Sequence, residues 1–144
     1  MKRKILPIIF PALLLLFSLS CKEECCSGEE DQSSLRGSWL LDERGYSPGA
    51  GYIVEKVAPI PAQQITFRAG SSLTSTVNGL AQFKFYFIVD DTLSDDKIVN
   101  FFISEPQDTR QSTTSYSYEI TDGKLKLYYR YCIEGCHLGF RRTK

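Results

Sequence analysis

From Trp39 to Arg142 apolar and polar residues alternate mostly with a period of two, and no stretch repeats at a convincing helical spacing. The pattern predicts eight strands, at 35–41, 64–69, 72–76, 81–89, 97–103, 112–120, 124–131 and 137–142. In the fourth of these, Phe83, Phe85, Phe87 and Val89 share one face, and Gln82, Lys84, Tyr86 and Ile88 share the other. The sixth places Tyr116, Tyr118 and Ile120 together, and the seventh Leu125, Leu127, Tyr129 and Tyr131. Asn78-Gly79 and Asp122-Gly123 predict hairpins whose central residues take positive φ. Residues 42–62 carry Gly or Pro at 45, 48, 49, 51, 59 and 61, which predicts a long lid-like loop. Connections elsewhere are mostly short, so sequential antiparallel neighbours can roll up and leave no free edge. The expected fold is all-β: an eight-stranded antiparallel up-and-down barrel. Eight strands enclose a space about wide enough for side chains or one small ligand.

The pattern changes before residue 35. Met1-Lys-Arg-Lys4 is basic, and Ile5–Leu19 is an uncharged apolar run interrupted by Pro7 and Pro11. A basic head, a short apolar core and a small residue before the cut describe a secretory signal, here 1–20. The run falls short of the roughly 20 residues that span a bilayer as a helix. Cys21 after Ser20 resembles the bacterial lipobox, in which the cysteine is acylated and becomes the first mature residue. Ser18 departs from the Leu usual in that motif. Lys22-Glu23-Glu24 resembles the signal that carries some outer-membrane lipoproteins to the cell surface. The expected destination is therefore the outer membrane, with exposure at the surface as the further implication. Residues 22–34 hold five acids, one Lys and no large apolar side chain, and so cannot repay the entropy of folding. Residues 21–34 are read as a flexible acidic tether, and 35–144 as one domain.

Charge excludes more than it assigns. From Leu35 onward 13 basic and 12 acidic residues leave a net charge of +1, with no basic surplus of the kind nucleic acid requires. Aromatics do change the picture. The same region holds one Trp, seven Phe and eight Tyr, residue types suited to a pleated, half-buried surface.

Gly37-Ser-Trp39 near the start of such a chain is similar to the lipocalin opening motif. The remainder resembles the small bacterial lipocalin-like lipoproteins. The elements that carry this are Gln64–Arg68, Tyr118–Leu125, Cys132-Ile-Glu-Gly-Cys136 and Leu138–Arg142, in that order. The resemblance spans Leu35 to the C-terminus. It implies a barrel and a basic residue stacked on Trp39, for which Arg142 is the candidate because it shares a face with Leu138 and Phe140. A guanidinium over indole contributes about 0.5–2 kcal/mol.

Cys132 and Cys136 flank three residues with Gly last, a spacing that suits a tight turn closed by a left-handed Gly135. Export permits oxidation, so a Cys132–Cys136 disulfide is expected. A metal site from Cys132, Cys136 and His137 competes poorly, because adjacent strand residues point to opposite faces. Asp90, Asp91, Asp95 and Asp96 lack the Gly and terminal Glu of a calcium loop. No nucleophile elbow or phosphate-binding loop is present. No catalytic residue, cofactor or metal is therefore expected.

The leading expectation is a lipid-anchored protein that binds a small hydrophobic or amphiphilic ligand without catalysis. Phe67, Phe83, Phe85, Phe87, Tyr116, Tyr118, Leu127 and Tyr129 are the candidate inward-facing ligand residues. A filled interior competes with this reading. The alternative is an adaptor or inhibitor that uses its loops on a protein partner, through Tyr46, Tyr52, Ile53, Val57 and Ile60.

Overall fold

In a computed structural model, the structure describes residues 34–91, 93–109, 111 and 114–143. The expected signal, Cys21, the Lys22-Glu23-Glu24 motif, Cys25 and Cys26 lie outside the described residues. Among the described residues there are nine antiparallel strands: β1 (Gly37–Tyr46), β2 (Ile53–Lys56), β3 (Gln64–Phe67), β4 (Leu73–Ser75), β5 (Phe85–Asp90), β6 (Lys97–Phe102), β7 (Thr114–Thr121), β8 (Lys124–Tyr129) and β9 (Cys136–Arg142). They run in the order β4-β3-β1-β9-β8-β7-β6-β5, with β2 paired to β1 beyond β3. Because β2 covers Glu43–Tyr46 and β3 covers Gly37–Leu40, the two serve as one interrupted barrel strand. A single bridge, Ser72 to Phe85, joins β4 to β5. The result is an all-β, nearly closed barrel of eight strand positions.

Two stretches depart from the alternation pattern. Residues 42–62 are not one loop. β1 runs through them to Tyr46, and β2 returns along it, with Lys56 reaching Asp42 at 2.9 Å and Glu43 at 3.1 Å. Of the Gly and Pro residues there, Gly45 lies within β1, and the others occupy a turn at 47–52 and an excursion at 57–63. Asn78-Gly79 does not make a two-residue hairpin either. Only Gly79 has positive φ, at 85°, and Leu80 N–H donates to Val77 O at 2.9 Å, a turn with Gly in its third place. Val77, Leu80 and Phe83 are buried from this turn-rich segment, beside the three-residue β4.

That segment displaces the phase of the next strand. Phe83 precedes β5, and within β5 it is Tyr86 that pairs with Phe101 and joins the core. Phe85 and Phe87 share the face of Phe102 and Asn100, on the outer wall, contrary to the inward placement that strict alternation assigns them. Period two is kept locally, but it starts one residue later than a strand from Ala81 implies.

The core is one cluster rising from the base, where β1 begins and β9 ends. Trp39, Ile65, Val99, Phe101, Leu125 and Leu127 are wholly buried there, with Phe67 and Phe140 nearly so. Phe67 meets Tyr86 edge-on at 4.9 Å between centroids, and Phe101 meets Tyr116 edge-on at 5.6 Å. Such geometry aligns the electron-poor edge of one ring with the face of another. Arg142 closes the base. Its guanidinium carbon lies 4.3 Å from the Trp39 ring centroid, and it donates to the carbonyls of Ser34 (2.7 Å) and Arg36 (3.1 Å). The Trp39 indole N–H donates to Leu35 O at 2.8 Å, so residues 34–36 cross beneath the barrel.

Candidate mouth cleft and outer-wall histidine

At the opposite end the packing stops short of the rim. A bulge in β1 between Leu41 and Glu43 shifts the register against β9 from Leu41–Phe140 to Glu43–Gly139. Beyond it, even-numbered residues face in: Arg44 pairs with Leu138, and Tyr46 with Cys136. With Tyr116, Tyr129 and Asn78 they line an open cleft of about 270 Å³ at the mouth. Tyr116 and Tyr129 oppose each other on β7 and β8, with ring centroids 5.2 Å apart. Burial holds the Tyr116 phenol above its usual value, with the neighbouring Tyr129 adding to the effect. The Arg44 Nη2–H donates to Gln63 Oε1 at 2.8 Å, and the Asn78 backbone N–H donates to the same oxygen at 3.0 Å. Gln63 thereby ties the turn after β4 to the guanidinium. The floor of the cleft is aromatic and aliphatic, and one wall is cationic.

The candidate ligand residues fall into three groups. Tyr116 and Tyr129 line this cleft. Phe67, Phe83 and Leu127 belong to the packed core beneath it, and Tyr118 packs against that core. Phe85 and Phe87 face away from the interior. Arg44, Tyr46 and Asn78 are cleft residues that alternation did not reveal, whereas Leu138 lies on the face of β9 that alternation gave it with Phe140 and Arg142. For Arg44 and Tyr46 the reason is the bulge, which has no signature in the residues around Asp42.

His137 sits on the outer wall yet is 95% buried, because it lies in a slot made by missing side chains. Gly45 stands opposite it on β1, and a Cβ there would run into the imidazole and the Tyr52 hydroxyl. Gly139 likewise leaves room for Glu43. Tyr52 stacks over His137, with centroids 5.7 Å apart, and Tyr128 approaches it from β8 at 5.8 Å. The Nε2–H tautomer satisfies both polar contacts: Nε2 donates to Glu43 Oε1 at 3.3 Å, and Nδ1 accepts from the Tyr52 hydroxyl. Lys56 beside Glu43 holds its carboxyl below the ordinary value, against an opposing push from burial. The Tyr52 phenol is raised, chiefly by burial, with Tyr128 adding to it.

Cys132 and Cys136 are bridged, with Cα atoms 5.8 Å apart. Gly135 takes φ 79° and donates its N–H to Cys132 O at 3.3 Å. The turn is longer than three residues, since β8 ends at Tyr129 and Tyr131 is exposed. Cys136 and His137 point to opposite faces of β9, which separates the three residues of the competing metal reading. Among the described residues no group of three His, Cys, Asp or Glu side chains could hold a metal ion. Compared with known proteins, the chain matches no family model, no curated protein and no solved structure.

Proposed function

We propose that this chain is a lipid-anchored, lipocalin-like envelope protein that binds a small amphiphile at the mouth of its barrel, without catalysis. The observation that carries the reading is the cleft above a packed core. Tyr116, Tyr129 and Leu138 form an apolar floor, and Arg44 gives it polarity. The lipid anchor on Cys21 and the outer-membrane destination rest on the N-terminal pattern. Residues 34–36 cross at the base, so the described chain begins at the end opposite the mouth. A volume of about 270 Å³ lies just under the usual range for small-molecule sites, so the ligand is small or leaves part of itself in solvent.

Titration of the mature chain with 1-anilinonaphthalene-8-sulfonate, followed by amide NMR, tests this. The expected result is saturable binding at one site, with shifts at Tyr116, Tyr129 and Leu138 and none around Trp39. Absence of saturation, or shifts confined to the outer wall, would end the reading.

A second reading is a docking surface for a protein partner. It is favoured by the exposed apolar residues Tyr52, Ile53 and Val54 beside β1 and Ile133 at the tip of the disulfide turn. Of the other proposed loop residues, Val57 packs against the core, Ile60 is exposed and Tyr46 belongs to the cleft.

A further inference from the structure

We infer that the mouth cleft selects an amphiphile bearing a single carboxylate, and that Arg44 is the residue that reads this charge. The inference rests on the ligand-site reading above and adds the chemical class of the ligand. Arg44 is half-buried, yet among the described residues no carboxylate oxygen lies within 4 Å of it. One of its nitrogens donates to Gln63, and its Nε is buried with no hydrogen-bond partner among the described residues. The acid that faces it across the β1–β2 ladder, Glu55, is engaged elsewhere: Tyr46 Oη donates to its Oε1 at 2.7 Å.

A guanidinium removed from water costs free energy unless an anion and hydrogen bonds compensate it. Here the position is fixed through Gln63, while no carboxylate of the described residues forms an ion pair with the charge. A ligand anion entering the cleft completes it. Arg44 is the one permanently charged side chain among the cleft residues, which suits one negative charge and not two. The planar fork of a guanidinium matches a carboxylate in two parallel hydrogen bonds. Tyr129 and Leu138 then receive the apolar body of the same molecule.

Calorimetric titration of the mature chain with 4-phenylbutanoate, 4-phenylbutanamide and 4-phenylbutyl phosphate tests the assignment. The carboxylate is expected to bind at least about tenfold tighter than the isosteric amide, the gain of a charge-assisted pair over a neutral one. In R44Q the ratio should fall to near one while amide binding persists, and R44K should retain part of it. Circular dichroism checks the fold of both variants, and the wild-type ratio needs no variant at all. Equal binding of acid and amide by the wild type, or an unchanged ratio in R44Q, overturns the role of Arg44 and leaves the ligand site standing. Phosphate binding as tight as carboxylate overturns the single-charge assignment. If neither acid nor amide binds, the ligand-site reading fails and this inference fails with it.

Discussion

His137 shows how much a single position depends on what its neighbours lack. An imidazole on the outer face of a strand is ordinarily solvated, and its near-complete burial follows from Gly45 opposite and Tyr52 above. Gly45 is needed for space, not for backbone freedom, since its φ is not in the left-handed region. Gly45→Ala is expected to push the ring and Tyr52 off the wall, at about 1–3 kcal/mol, the usual range for overpacking. Urea unfolding of the variant measures this; a loss below about 0.5 kcal/mol would show that the ring moves aside freely. The sequence offered His137 only as one histidine in a strand. Its slot was invisible because Gly45 and His137 are far apart in the chain and meet only in the β1–β9 register.

Phase and electrostatics belong to whole elements. β5 keeps its alternation but begins after a turn that the sequence reads as strand, so Phe85 and Phe87 exchange faces with Tyr86. Phe101→Ala, inside the core on β6, is expected to cost about 3–5 kcal/mol. Phe85→Ala on the outer wall should cost about 1 kcal/mol or less, and similar losses for the two would return Phe85 to the interior. The β1–β2 hairpin carries a pH dependence through Glu43. Its folded-state pKa lies below the ordinary 4.5, so its contribution is present above that value and is lost as pH falls through the folded pKa. Denaturation midpoints of wild type and Glu43→Gln should therefore converge as pH drops from about 5 to 3. A gap that stays constant over that window would assign the effect to packing alone.

On the scale of the molecule, one end is filled and the other is open. Rings and aliphatic side chains pack continuously from Trp39 to Phe101, and above Leu138 and Tyr116 a cleft opens at the mouth. Period-two patterning, turn residues and aromatic content were enough to read an all-β barrel of eight strand positions. They also gave the spacing of Cys132 and Cys136 and the shared face of Leu138, Phe140 and Arg142. These are local properties, since each residue's face follows from its neighbours two places away. What the chain alone left undecided was every feature set by a phase change: the bulge that turns Arg44 and Tyr46 inward, and the turn that turns Phe85 outward. One inserted residue reverses all faces beyond it, and its place is set by pairing with distant strands. Tertiary structure therefore decided where the rings point, and with them the cleft and its single charge.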